Sequence, residues 1–198
     1  MSKKTPPEPI HVFVSSDEDE FSDLRAELKE ILGDVDVVSS KRIADATDKK
    51  FAEAGYSQNL IVPEVLEYSS GADIERKINI AMERSQLYVG VFGLDYSPTT
   101  VKEFNKAIDR GMATLVYYFT EPPAPLKNKS LSKSQSKFYD FLMEEVHPRV
   151  LIGGNYKSVK FKTRQELEDE IVVDVVAELS VMIRQYHGVQ KAVAGFKM

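Results

Sequence analysis

Short apolar runs alternating with amphipathic segments over most of the 198 residues predict an α/β fold, a three-layer sandwich around a mostly parallel five-stranded sheet. Two observations carry this. Runs such as IHVFV at 10–14 and LYVGVF at 87–92 are continuously apolar and rich in β-branched or aromatic residues, as buried strands are. The stretch 85–119 then shows the repeating unit in full: strand, polar turn, helix and next strand, with right-handed crossovers the default for such units.

In chain order, residues 1–9 form a polar, proline-bearing tail expected to be poorly ordered. The first strand ends at Ser15-Ser16, and the next helix carries Phe21, Leu24, Leu28, Ile31 and Leu32 on one face. Ser16 or Asp17 caps it, the acids of 17–20 complement the positive end of its dipole, and Gly33 stops it. The second strand has two candidates, 34–38 and 60–68; Pro63 lacks a ladder donor, which puts the latter at a sheet edge. Between them, 41–58 reads as a charged insertion with a short helix packed by Ile43 and Phe51. Asp73 caps a helix with Ile74, Ile78, Ala81 and Met82 inward, leading to the central strand.

The spacing predicts the next helix over 101–110, closed by Gly111 as a left-handed cap, and a fourth strand over 113–119. Residues 120–137, proline-rich and then Lys/Ser-rich, read as a flexible surface loop. Phe138, Phe141, Leu142 and Val146 mark a helix expected to end before Pro148. The last strand is 149–152 or 156–161, with a turn at 153–155. Thr163 and Glu166 make a capping box for a long C-terminal helix ending at Gly188, followed by a tail over 189–198. Its broad stripe, from Leu167 through Ile171, Val175 and Leu179 to Tyr186, covers the sheet and has apolar surface to spare for a homo-oligomer through the helix at 164–187.

One domain over 10–188 accounts for the whole pattern, large enough to bury roughly 70% of the surface its unfolded chain exposes. Absence of cysteine excludes a disulfide framework, a thiolate metal site and a cysteine nucleophile. The formal charge of -5, with scattered Lys and Arg, argues against a nucleic-acid partner. No run approaches the ~20 apolar residues of a membrane span, and MSKKTPPEP has no signal-peptide core, so the expected setting is cytoplasmic, with no membrane partner. His11, His147 and His187 lack metal-ligand spacing, and neither a metal site nor a bound cofactor is expected.

With strand order 2-1-3-4-5, the connections after the first and third strands leave in opposite directions and open a crevice between them. Its lip is then Ser15, Ser16 and Asp17 on one side and Gly93, Asp95, Tyr96 and Ser97 on the other, with Glu67, Tyr68 and Ser69 on the flank. Thr100 and Glu103 read as a capping box, so Glu103 is either a cap alone or a carboxylate aimed at the crevice. Ser15-Ser16 has the same two readings, strand exit or ligand contact, and Tyr96 is either a packing residue or a platform on which a base stacks.

The segments HVFVSSDEDEFSDLRAELKEIL, VLEYSS, SQLYVGVFGLDYS and TTVKEFNKAIDRGMATLVYYF resemble, in order and spacing, the TIR-like domains of unknown function often fused to NTPase or repeat modules in prokaryotic signalling and defence proteins. They are more distantly similar to nucleoside deoxyribosyltransferases. The resemblance spans about 10–121, with KFKTRQELEDEI at 160–171 a weaker match. It implies a flavodoxin-like, TIR-like sandwich and a nucleotide or nucleoside ligand. In members of known activity, a glutamate on the helix after the third or fourth strand assists cleavage of the N-glycosidic bond of a nucleoside or NAD. Glu103 stands at that position, with Tyr96 placed for a base and Ser15 and Ser16 for ribose or phosphate oxygens.

Two departures add negative charge. Many relatives have Arg-Tyr-Gly where this chain has Asp95-Tyr96-Ser97, and Ser-Ser-Thr where it has Ser15-Ser16-Asp17. Each acid would repel a pyrophosphate by ~1 kcal/mol if solvated; a neutral nucleoside suffers less. Two functions follow: a nucleotide-related signalling or defence domain that cleaves the N-glycosidic bond of NAD or a nucleoside through Glu103, or a non-catalytic nucleotide-sensing or protein-interaction module using the same crevice.

Overall fold

The computed structural model describes residues 9–33, 61–66, 73–93, 95–119, 132–152 and 156–195. In chain order the elements are β1 (Ile10–Ser16), α1 (Glu18–Gly33), β2 (Ile61–Val65), α2 (Asp73–Arg84), β3 (Ser85–Phe92), α3 (Pro98–Asp109), β4 (Ala113–Phe119), α4 (Lys133–Phe141), a π-helical turn (Leu142–Val146), α5 (His147–Ile152), β5 (Tyr156–Phe161) and α6 (Arg164–Gly195). The five strands form one sheet in the order β2-β1-β3-β4-β5. Every pairing is parallel, as the alternation of strand and helix predicts. β2 is an edge strand and accommodates Pro63 opposite Val12. The competing candidate, 34–38, and the expected helix within 41–58 lie outside the described residues.

Alternate strand residues feed two apolar layers. On one face Val12, Val14, Val89, Val91, Leu115 and Tyr117 pack with Leu24 and Leu28 of α1 and with Ile171 and Val175 of α6. On the other, Phe13, Tyr88, Phe92, Val116 and Tyr118 pack with Ile78 of α2, Val101 and Phe104 of α3, and Phe138 of α4. Both layers run to the carboxyl ends of the strands, so α1 and α3 leave the sheet on opposite faces there.

Helix ends follow local chemistry. Gly111, at φ 67°, donates its N–H to the Ile108 carbonyl at 2.9 Å, and Met112 donates to the Ala107 carbonyl at 3.1 Å. That is the paired bonding of a Schellman close. Thr163 and Glu166 form the expected reciprocal cap, with the Glu166 N–H on Thr163 Oγ1 and the Thr163 N–H on Glu166 Oε2, each at 3.2 Å.

Four boundaries differ from expectation. α3 begins at Pro98, because Ser97 is its N-cap and Pro98 supplies a preset φ in the first turn; Thr100 therefore lies inside the helix. Ser132 starts α4 within the segment expected to be a flexible loop, through a capping box with Gln135. The helix does not stop before Pro148. At the π turn the His147 N–H reaches the Leu142 carbonyl, five residues back, and this widened turn lets the chain pass Pro148, which has no N–H to give, into α5. Residues 149–152 are accordingly helical and the fifth strand is Tyr156–Phe161; α6 in turn continues beyond Gly188 to Gly195. On α6, Val173 and Val181 are 40% and 38% exposed.

α6 is tied to the sheet by a buried hydrogen bond from the Tyr117 hydroxyl to Asp174 Oδ2 at 2.8 Å. Burial, and after it the charge of Asp174, push the Tyr117 pKa well above the ordinary tyrosine range. Since the native value is raised above the unfolded one, this contribution to stability is whole below about pH 10 and is lost as the pH climbs beyond it. Tyr117→Phe should lower unfolding free energy by about 1–3 kcal/mol at neutral pH by removing a donor from a buried carboxylate. It should also flatten the alkaline decline; urea titrations between pH 7 and 11 read both effects. Gly111→Ala, measured the same way, should cost about 1–2 kcal/mol, the penalty for a Cβ in the left-handed region.

Candidate functional site

The site is built where β1 and β3 run side by side. Ser15 lies opposite Gly90 and Ser16 opposite Val91 in the parallel register. Beyond these residues β1 turns into α1 on one face and β3 into α3 on the other, the arrangement that opens a crevice at a topological switch point.

Glu103 lies on the inward stripe of α3 with Thr100, Phe104 and Ala107, and it is 1% exposed. Ser15, also 1% exposed, donates its hydroxyl to Glu103 Oε2 across 88 positions of sequence. The expected Thr100–Glu103 capping box is not formed. Ser97 Oγ accepts the Thr100 N–H at 3.5 Å and the Thr100 hydroxyl at 3.0 Å, so the cap is satisfied one turn earlier and Glu103 is free of that duty. A carboxyl group so far from water is costly unless hydrogen-bonded, and Ser15 supplies a bond. Glycine is required at position 90 beside this pair. A Cβ there would lie 2.7 Å from Tyr88 Cε1, 2.9 Å from the Tyr88 hydroxyl oxygen and 3.1 Å from Phe92 Cε2. The Tyr88 hydroxyl in turn donates to the Thr100 carbonyl at 3.4 Å, joining β3 to the first turn of α3.

Ser16 is 2% exposed, and its Oγ has no hydrogen-bond partner among the described residues. Its carbonyl accepts from Arg25 Nη1 at 3.1 Å, and Arg25 Nη2 donates to the Leu66 carbonyl. Arg25 is buried and spans the carboxyl ends of β1 and β2. The sequence reading missed it, although an arginine four residues after Phe21 and beside Leu24, within an apolar stripe, is a legible sign of a buried cation. Glu20 was expected only as one of the acids at the start of the first helix. Its carboxylate rests on Gly93, where a Cβ would fall 1.6 Å from Glu20 Oε2. Asp17 caps α1, its Oδ1 accepting the Glu20 N–H at 3.2 Å and its carbonyl the Phe21 N–H at 3.0 Å.

On the β3 side, Gly93 is buried, Asp95 is exposed and Ser97 is the α3 cap. Tyr96 is half-buried and held by α4. Its N–H donates to Ser134 Oγ at 3.0 Å, its ring stands edge-on to Phe141 with centroids 6.5 Å apart, and Lys137 Nζ sits 5.6 Å over the ring. The structure therefore brings Ser15, Gly90, Thr100 and Glu103 into one cluster and places Ser16 on the α1 side of the same strand end. Glu67, Tyr68 and Ser69 lie outside the described residues.

A cavity of about 210 Å³ lies beside the start of α1, lined by Glu20, Phe21, Asp23, Phe161 and Arg164 among others, and Ser15, Ser16 and Glu103 do not line it. We place the candidate site at the strand ends because the buried carboxyl and hydroxyl groups converge there and not in that cavity. Among the described residues no group of three His, Asp or Glu side chains could hold a metal ion. Nor is any described helix long and apolar enough to cross a membrane.

No protein-family model matches the chain, and no curated protein matches it. Among solved structures it is similar to the CMP N-glycosidase BcmB of Clostridium botulinum, with a TM-score of 0.48 and 14% identity over 82% of this chain and 98% of that one.

Gly90→Ala should destabilise the protein by about 1–3 kcal/mol, because the added methyl overpacks Tyr88 and Phe92. Denaturant unfolding measures the cost, and loss of it in a Gly90→Ala/Tyr88→Phe double variant would trace part of it to the tyrosine hydroxyl.

Proposed function

We propose that this chain cleaves the N-glycosidic bond of a nucleoside or of NAD, with Glu103 as the carboxylate that meets the anomeric carbon. The observation carrying this reading is the burial of Glu103 against Ser15 at the joined ends of β1 and β3. A helix stripe normally fills that position with an apolar residue, and a carboxyl group kept there at the expense of packing points to chemistry at the switch point.

Departure of the base breaks the C1′–N bond and leaves an oxocarbenium-like sugar, whose positive charge a carboxylate stabilises or traps as an ester. Water then forms the new C1′–O bond; its proton goes to the departing base of a nucleoside, or to solvent for NAD, whose nicotinamide leaves neutral. Ser15 holds the carboxyl rotamer for this encounter. Signalling or defence is the setting that the resemblance over 10–121 suggests for such an activity. A second reading, a non-catalytic nucleotide-sensing or protein-interaction module, is favoured by closure of the site, since both Ser15 and Glu103 are 1% exposed.

Incubation with NAD and a panel of nucleosides and nucleotides, followed by chromatography, separates the two. The wild type should release free base or nicotinamide, and Glu103→Gln should lower the rate at least about hundredfold. Its melting temperature should stay close to that of the wild type, because glutamine retains an acceptor for Ser15. Absence of release from every substrate by folded wild-type protein would leave the binding module.

A further inference from the structure

We infer that two copies of this chain pair through the solvent face of α6, antiparallel and about a twofold axis at Ala177. The inward stripe of this helix, with Leu167, Ile171, Val175 and Leu179, is spent on the sheet. The opposite face of such a helix is ordinarily polar. Here Val173, Ala177 and Val181 stand on three consecutive turns of it, all exposed. Exposed apolar residues scattered singly need no explanation, but two of the four large ones among the described residues lie in this one row.

The order of residues along the row names its occupant. Positions 170, 173, 177, 181 and 184 share one stripe of α6 and read Glu, Val, Ala, Val and Arg, at spacings of three, four, four and three residues. The spacing is the same from either end, and the charges at the two ends are opposite. A twofold axis brings residue i of one copy onto residue j of the other, and j onto i. With the axis at Ala177, Val173 meets Val181 of the other copy and position 170 meets position 184. The small alanine at the crossing lets the helices approach to about 8 Å. Such a row is complementary to itself.

Charge selects the antiparallel arrangement. Residues 164–178 hold six acids and one base, whereas residues 179–195 hold no acid and two bases, Arg184 and Lys191. Antiparallel pairing lays the acid-rich half of each helix along the basic half of the other; parallel pairing lays like on like. Both arrangements keep whatever partners these side chains have within their own chain, so the preference requires none of them to be unpaired. Complementing the helix dipole is a lesser reason for the asymmetry, because that effect fades within the first and last turns and Asp174 and Glu178 lie well inside the helix.

Sedimentation equilibrium of the full chain tests this, with no activity in the readout. The wild type should show a reversible monomer–dimer equilibrium with a micromolar dissociation constant, since a single helix pair is a small interface. Ala177→Glu, which sets two like charges on the axis, should weaken the dimer at least about tenfold. Glu170→Lys and Arg184→Glu should each weaken it about three- to tenfold, and the two together should recover most of the loss. Circular-dichroism melts of the same variants separate loss of the dimer from loss of the fold. Because the chain has no cysteine, single cysteines report orientation. Ala177→Cys should cross-link to itself under mild oxidation, and Val173→Cys should cross-link to Val181→Cys in a mixture but not to itself. In the antiparallel pair the two positions 173 are about 12 Å apart along the helices, too far for a disulfide, whose Cα atoms stand about 4.4–6.8 Å apart. A monomer even at millimolar concentration, a dimer that Ala177→Glu leaves intact, or preferential linking of Val173→Cys to itself would overturn the inference.

Discussion

A carboxyl group held out of water is the constraint on which the centre of this structure depends. The inward stripe of α3 runs through Thr100, Glu103, Phe104 and Ala107, and three of its neighbours in the core are aromatic. An acid in that stripe is tolerable only with a donor in reach, and the donor comes from the end of β1. Several otherwise separate features then fall into place. Position 90, beside Ser15, is glycine because the Tyr88 ring leans across it, and the Tyr88 hydroxyl anchors the first turn of α3. The start of α3 at Pro98 sets the phase of the helix, and with it the face on which Glu103 emerges.

The two layers around the sheet contribute differently. On the α6 side, one strong anchor, Tyr117 to Asp174, fixes a long helix across β4, and Arg164 links the start of that helix to Glu27 of α1. On the α3 side, aromatic packing dominates: Phe92 contacts Phe104, Phe138 and Phe141, with centroids 5.3–6.4 Å apart. This second layer extends past the sheet edge to Tyr96, so α4 braces the loop that leads into α3. Charged pairs between α2 and α3, such as Lys102 with Glu75 at 2.6 Å, lie on the surface and add little to stability, though they hold the Glu75 carboxyl below its ordinary pKa through the Lys102 hydrogen bond.

What the sequence disclosed was whatever rests on short-range rules. Apolar runs located the strands, Pro63 marked an edge strand, Gly111 closed α3, and Thr163 with Glu166 opened α6. Alternation of strand and helix gave the parallel sheet and, with the switch-point rule, the neighbourhood of Ser15 and Glu103. Competition between local signals hid the rest. Ser97-Pro98 and Thr100 both start helices, and the earlier pair prevailed because proline adds a preset φ to the serine cap. Pro148 ordinarily ends a helix, but a π turn absorbs it, and no local rule announces that turn. Arg25 meets the Ser16 and Leu66 carbonyls and Glu20 the backbone of Gly93, tertiary neighbours that emerge once the strands are placed.

The same neighbours decide which wall of the crevice can yield. For a ligand to reach Glu103, one side has to move. The β3–α3 side is braced at Tyr96 by a backbone hydrogen bond to Ser134 and by the Phe141 ring, and behind it lies the apolar layer of Phe92 and Phe138. Shifting that side would disturb buried aromatic surface worth several kcal/mol. Across the crevice the carboxylate of the exposed Glu20 lies against the backbone of Gly93. The β3–α3 side is therefore the fixed wall against which the Ser15–Glu103 pair is held.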